Sequence, residues 1–361
     1  MKKRAKPRVG GRTAGAALAA ALLVILAVML AAGCGSSGAG TTETTAAPAA
    51  TTSTGLAPAT TEAPATTEAP TTTVADKLPK LTLVAPPGPM AIPMAYLMVN
   101  NKLADVAEKT ELVIWQNADQ LKALVAGKQG DFVTVPSNNS AMFYNKGLEL
   151  KLLDVSVWNI TYLITRDAKA SGFSGIKGQS LVVSLKGSVP DVMFQYIATK
   201  EGLDPAKDFK LQYATDPTQA AQLLLAGKVD NAVLGEALAT SVILQTKSDA
   251  TPLRRALAFD KAWAQAAGDS MGTPIAGTVA TATVMDKPEV VDAFLREYEA
   301  AVEWMLANPE EAGTLVETEL PQLGLKAGPL TASLKSITWK FTPAQDARAG
   351  LEAFYTALMD L

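Results

Sequence analysis

Four places in the sequence put amide, hydroxyl, carboxylate or ammonium groups directly after a short apolar, β-rich run. They are Pro86-Pro-Gly88-Pro89-Met90, Pro136-Ser137-Asn138-Asn139, Lys186-Gly187-Ser188-Val189-Pro190 and Gly235-Glu236. Gly187 and Ser188 stand at a helix start, where unpaired backbone N–H groups and a hydroxyl favour an oxyanion. Ser137, Asn138 and Asn139 offer the same donors at a second helix start. Lys186 is a counter-charge for an acid group. Glu236 suits an amine-bearing ligand or acid–base work. Met90 and Trp158 supply apolar surface for a flat molecule. Each residue also has a purely structural role open to it. Ser137, Asn138 and Ser188 are good helix caps, Glu236 can be solvated or salt-bridged, Met90 and Trp158 can lie in a core, and Lys186 can sit on the surface.

The rest of the composition narrows the chemistry. The 361-residue chain has no histidine and a single cysteine, Cys34. Imidazole bases, Ser-His-Asp triads, imidazole metal sites, disulfides and thiolate zinc sites are therefore excluded. No pairing of the remaining carboxylates, lysines and tyrosines forms a convincing catalytic set, so no catalytic residue, metal or cofactor is expected. A net charge of −3 with 19% charged residues leaves no basic footprint for nucleic acid.

The elements that must position these groups occur twice. Ser180–Ser184 reads as a strand, Leu185–Pro190 as a turn, and Asp191 to about Glu201 as a helix. A strand near Phe209–Ala214, a helix over Asp216–Ala226 and a strand at Asp230–Leu234 follow. About a hundred residues earlier the order is the same: strand Leu81–Ala85, turn Pro86–Pro89, helix Met90–Asn100, strand Leu112–Trp115, helix Asp119–Ala126, strand Asp131–Val135. Tyr96 aligns with Tyr196, Leu103 with Leu203, Leu-Val-Ala-Gly-Lys at 124–128 with Leu-Leu-Ala-Gly-Lys at 224–228, and Asp131 with Asp230 after a one-residue slip. This is one α/β unit used twice. Facing lobes of this kind leave a cleft at the carboxyl ends of their strands. Ser137 and Glu236 then occupy equivalent strand ends and are expected to face each other across it.

The N-terminus reads as an address. Met1–Arg12 is basic, Thr13–Ala32 is apolar, and Leu30-Ala-Ala-Gly-Cys34 follows, the three parts of a secretory signal. Its end resembles a bacterial lipobox, with Ala31 where Leu is usual, which implies lipidation of Cys34. An uncleaved membrane helix is the alternative reading. Residues 34–79, rich in Thr, Ala, Pro and Glu, form a disordered tether. Proline-rich chain of this length reaches on the order of 100 Å. The expected division is therefore 1–33 signal peptide, 34–79 tether, 80–164 first lobe and 165–277 second lobe. Residues 278–361 return to the first lobe and supply its C-terminal helices, the last of them starting at Thr342-Pro343.

From about Leu81 to Leu361 the chain resembles the solute-binding proteins of ABC importers, of the nitrate/sulfonate/thiamine-precursor type. The likeness is carried by Gly88-Pro-Met90, Asp131-Phe-Val-Thr-Val-Pro-Ser-Asn138, Tyr144-Asn-Lys-Gly147, Leu152-Leu-Asp-Val-Ser-Val-Trp158, Lys186-Gly-Ser-Val-Pro-Asp191 and Leu224 to Glu236. The resemblance implies an α/β, two-lobed type II periplasmic-binding fold with two hinge crossings. It also implies closure around a small solute, a permease and ATPase as partners, and a monomer held by its lipid at the outer face of the membrane. Many members have Glu-Pro where this chain has Glu236-Ala237. A related fungal branch makes a pyrimidine precursor with a histidine and a cysteine-rich motif, and this chain has neither. A sensor for a signalling partner and an extracytoplasmic enzyme on the same fold are the alternative functions.

Overall fold

The computed structural model describes residues 77–268 and 272–359. The signal segment, Cys34 and the tether up to residue 76 lie outside the described residues. In chain order the first part comprises β1 (Leu81–Ala85), α1 (Ile92–Val99), β2 (Thr110–Ile114), α2 (Ala118–Ala126), β3 (Phe132–Pro136), α3 (Ser137–Asn145), β4 (Leu150–Leu152) and β5 (Asp154–Asn159). The second comprises β6 (Thr161–Thr165), β7 (Ser180–Ser184), α4 (Val189–Lys200), β8 (Lys210–Ala214), α5 (Pro217–Leu225), β9 (Asn231–Gly235), α6 (Leu238–Gln245), β10 (Arg254–Ala258) and α7 (Phe259–Ala267). The last comprises β11 (Ala276–Thr281), α8 (Pro288–Ala307), α9 (Pro309–Glu319), α10 (Ala327–Leu334), β12 (Thr338–Pro343) and α11 (Arg348–Met359).

Two sheets result, one ordered β12-β5-β11-β3-β1-β2 with β4 beside β11, the other β10-β6-β9-β7-β8. Within each, the repeated unit supplies three parallel strands: β1 pairs β2 and β3, and β7 pairs β8 and β9. An antiparallel strand then flanks β3 (β11, Ala276 opposite Pro136) and β9 (β6, Thr161 opposite Gly235). Helices cover both faces, which is why β1 is buried along its whole length and β3 over all but its last residue, rather than on alternate residues. In the first lobe, Phe132 stacks on Phe294 of α8 on one face, and Val84, Leu121, Val133 and Phe143 pack on the other. In the second, Phe173, Phe194, Phe259 and Trp263 fill one face and Ile164, Val182, Leu224 and Val242 the other.

The same local devices build both copies. Asn117 and Asp216 cap α2 and α5 by accepting from the amides of Gln120 (2.9 Å) and Gln219 (2.8 Å). Each glutamine reaches back to an amide ahead of its own helix, on Gln116 and Thr215, at 2.7 Å. Asp131 and Asp230, ahead of β3 and β9, accept from amides at the start of the neighbouring strands, on Thr82 (2.7 Å) and Ser180 (3.0 Å).

Four expectations need correction. The chain changes sheet at Ile160, ahead of the 164/165 boundary, because β5 belongs to the first sheet and β6 to the second. The stretch of 278–361 expected to close in helices instead contains a strand, β12, paired with β5. The final helix is α11 from Arg348, and it serves both lobes, since Leu351 packs with Val155 and Trp158 of the first. Phe354 and Ala357 enter the second lobe's core, with Phe354 edge-on to Trp263 at 5.1 Å. The expected tether also ends early, since Leu78 is held in a bridge to Ala107.

Candidate functional site

The two crossings between lobes run side by side. Ile275 donates its amide to Val157 (2.9 Å), and the Thr273 hydroxyl donates to the Trp158 carbonyl (2.5 Å). The ends of β3 and β9 both abut these crossings. Ser137 donates its amide to the Ile275 carbonyl and Glu236 donates its amide to the Ile160 carbonyl, each at 2.9 Å. Ile275 and Ile160 are the residues just before the antiparallel strands β11 and β6, so Ser137 and Glu236 do occupy equivalent strand ends. The carboxyl ends of β1, β3, β7 and β9 are thereby gathered where the lobes meet.

Their side chains, however, are turned inward. Ser137 is 1% exposed. Its hydroxyl donates to the Pro274 carbonyl, and its own carbonyl accepts from the Tyr355 hydroxyl of α11 (2.7 Å). Glu236 keeps a side chain that is 0% exposed, in an ion pair with Arg255 of β10, whose side chain is 26% exposed. One Glu236 oxygen accepts from both Arg255 Nε (3.0 Å) and Nη2, and the other accepts from the Thr240 hydroxyl (2.6 Å). The Arg255 guanidinium lies over the Tyr162 ring, 5.0 Å from its centroid. Tyr162 donates its hydroxyl to the Ser336 carbonyl of the first lobe. Burial, and then the Glu236 charge, push the Tyr162 phenol up to about 12, so it is a permanent donor. The expected confrontation of open Ser137 and Glu236 side chains is therefore corrected: each is consumed in holding its own strand end. The Glu236–Ala237 peptide bond is cis.

Neither of the two helix starts has a side-chain cap, but the donors expected at them differ. At α4, the Gly187 amide donates to Asp191 Oδ2 (2.8 Å) and the Ser188 amide to the Leu185 carbonyl (2.8 Å), while the Ser188 hydroxyl donates to the Ser184 carbonyl (3.0 Å). The donors expected at Gly187 and Ser188 are thus already engaged. Gly187 adopts φ 77°, the left-handed conformation that frees a glycine to turn here. Asp191 also accepts from the Tyr213 hydroxyl (3.0 Å), and burial, followed by that carboxylate, pushes the phenol to about 12. Lys186 is exposed, its ammonium 5.7 Å from the Tyr213 ring centroid. Val189 begins the helix and is half-buried. At α3 no side chain caps the helix, and the amides of Asn138 and Asn139 have no acceptor among the described residues. Both asparagines are half-buried.

At the β1 tip, Gly88 (φ 105°) and Pro89 are buried and Met90 is half-buried beneath the turn leading into α1. Trp158 stands apart from these tips. It is 4% exposed, donates its indole N–H to the Lys340 carbonyl (2.9 Å) and packs on Ala347 and Leu351. It borders a cavity of about 270 Å³ between α7 and β12, with Asp260, Lys261, Gly272 and Thr338 on the other walls.

Arg255 and Asp191 escape a reading of the sequence alone. Asp191 had a signal, the Ser188-Val-Pro-Asp191 spacing of a helix-start box in which an acid reaches back to a preceding amide. Arg255 had little, because its stretch reads as a charged, variable connection rather than as a strand and helix.

Comparison with known proteins agrees with this geometry. The family described as NMT1/THI5 like matches residues 108–312. No curated protein matches the chain in sequence. An ABC transporter structure from Parabacteroides distasonis is similar at 23% identity with a TM-score of 0.65, over 79% of this chain and 93% of that one. The periplasmic aliphatic sulphonate binding protein SsuA from Escherichia coli is similar at 17% identity and TM-score 0.60, over 77% and 92%. The alkanesulfonate-binding protein SsuA from Xanthomonas axonopodis pv. citri, bound to MOPS, is similar at 15% identity and TM-score 0.57, over 78% and 94%. The two-lobed fold is shared with all three.

Proposed function

The chain belongs to the NMT1/THI5-like family, and on that premise we propose that it is a solute-binding protein that captures a small anion between its lobes for an ABC importer. The observation that carries this reading is the pairing of equivalent strand ends, Ser137 and Glu236, on the two adjacent crossings. A ligand at these tips touches both lobes only when they are close, so binding favours the closed form by its extra contacts there. The open amides at the start of α3, with the helix dipole behind them, favour an oxyanion. The partly exposed Arg255 edge adds positive charge near the second lobe's tip. Gly88, Pro89, Met90, Asn138, Asn139, Lys186 and Val189 are the proposed surroundings of the ligand, and Ser137, Gly187, Ser188 and Glu236 shape the backbone that presents them. Trp158 is proposed as a ligand neighbour only by way of the cavity beside the crossings. Two of the similar structures are sulfonate-binding proteins by name, which supports a sulfonate among the candidate solutes. This is capture without bond chemistry.

The same reading makes Cys34 the lipidated first residue of the mature protein, places the lobes outside the cell membrane, and gives the monomer a permease and ATPase as partners. The described residues contain no helix long and apolar enough to cross a membrane. The tether then raises the receptor's concentration near its transporter.

Thermal melting of the full chain with nitrate, ethanesulfonate, taurine, an amino-acid mixture and a hydroxymethylpyrimidine tests the function. A cognate solute at a hundredfold its Kd stabilises by about 2.7 kcal/mol, which raises Tm by roughly 5–10 °C for a domain of this size. A cooperative melt that none of these solutes moves would contradict the proposal.

A further inference from the structure

The first lobe holds a sealed polar cluster where the hinge strand leaves it. Asp154 opens β5 and is 0% exposed, and neither of its carboxylate oxygens has a hydrogen-bond partner. The hydroxyls of Thr134 on β3 and Thr278 on β11, directly opposite each other in the sheet, are also buried without a partner. Ser156 of β5 and Tyr298 of α8 complete the group, their hydroxyls 3.3 Å apart. The five side chains converge. Thr278 and Ser156 lie near enough to Asp154 to act on its ionisation, and Ser156, Thr278 and Thr134 all act on the Tyr298 phenol. No lysine or arginine is among the groups that act on Asp154.

Four oxygens without partners in one dry place are costly, at roughly 1–3 kcal/mol each if nothing fills them. Native proteins resolve such groups with an ordered water or an ion. The hydroxyls of Thr134, Thr278, Ser156 and Tyr298 carry protons of their own, but none is placed to donate to the carboxylate. A cation satisfies acceptor oxygens from several side chains at once. The donors are all hard oxygens, which excludes the soft metals and suits an alkali or alkaline-earth ion. With one carboxylate in the group, a single positive charge balances it, whereas a divalent ion leaves a buried excess charge.

We propose that Asp154, Thr134, Thr278, Ser156 and Tyr298 form a binding site for a monovalent alkali cation, with sodium the natural occupant, at the root of the hinge strand. The bound ion ties β3, β5 and β11 to α8, and so fixes the base from which the first crossing departs. The site is separate from the solute cleft and does not depend on which solute binds there.

The test is the melting temperature of the full chain at pH 8, without solute, in sodium chloride and in choline chloride of equal ionic strength. Sodium is expected to raise Tm by roughly 2–4 °C at about tenfold its Kd. The increment should vanish in Asp154→Asn and in Thr278→Val. The second variant is nearly isosteric and carries the test if the first does not fold. Equal melting in the two salts, or an increment that persists in the folded variants, overturns the proposal; in that case water or a proton fills the pocket.

Discussion

The first lobe and the second lobe are built from one plan, and they diverge where the plan meets the cleft. Both start the strand before the cleft with an aspartate clamped to the neighbouring strand, and both cap the preceding helix with an Asn or Asp and a Gln. At the strand end itself the first lobe uses a neutral serine on a carbonyl, and the second an ion pair, Glu236 with Arg255. At the helix starts beyond these strand ends, the Asn138 and Asn139 amides of the first lobe have no acceptor among the described residues, while in the second Glu236 accepts from the Thr240 amide (3.2 Å). The scaffold positions are interchangeable because their work is local and the same in both copies. The strand-end positions are not, because one is held by a neutral hydrogen bond and the other by a charged pair.

The largest break in this symmetry lies beside the strand ends. Gly277 in β11 and Tyr162 in β6 hold equivalent places, each one residue past the pair that faces Pro136 or Gly235. A Cβ on Gly277 would stand 1.8 Å from the Asp154 carbonyl oxygen, in backbone that cannot step aside. Gly277→Ala is therefore expected to cost roughly 3 kcal/mol or more, read as a lowered denaturant midpoint. A near-neutral result would mean that β5 and β11 are not packed as described.

Next is the contrast between the strand ends. Arg255→Ala leaves a buried carboxylate uncompensated and is expected to cost about 3 kcal/mol. Ser137→Ala removes one neutral hydrogen bond and should cost about 1 kcal/mol. Arg255→Met combined with Glu236→Gln should recover most of the loss. Equal costs for the two single changes would remove the electrostatic distinction between the lobes.

The doubled unit was legible because its markers are short-range: a cap three residues from its amide, an aspartate at the head of a strand. What was not legible is long-range. Glu236 announces a carboxylate, but nothing nearby names Arg255 as its partner. The apolar run from Val155 to Thr165 gives no sign that Ile160 leaves one sheet for another, since both strands are equally buried. The amphipathic pattern of α11 shows that it buries one face, with Leu351 and Phe354 on it, but not that the two residues enter different lobes. The strand β12 was lost because its Thr342-Pro343 end resembles a helix start.

Smaller effects test the equivalence of the scaffold positions. Asn117→Ala and Asp216→Ala should each cost about 1 kcal/mol, and similar amounts. A large difference would show that one cap has acquired a further role. Asp230 adds a mild pH dependence. The Ser180 hydroxyl and amide hold its carboxyl below the ordinary value, so its contribution is present above that value and lost as the pH falls through the lowered one. Asp230→Asn should therefore be less stable than the parent near neutrality, and the two should converge in acid. A constant gap down to the lowest pH at which both fold would remove this clamp from the account.

Hydrogen exchange followed by mass spectrometry, on the full chain with and without a solute that stabilises it, tests the central claim most directly. A solute held between the lobes should slow exchange together at the start of α3, around Asn138 and Asn139, and at the tips of the second lobe, around Val189 and Ala237. Protection confined to one lobe, or absent from both in the presence of a stabilising solute, would contradict it.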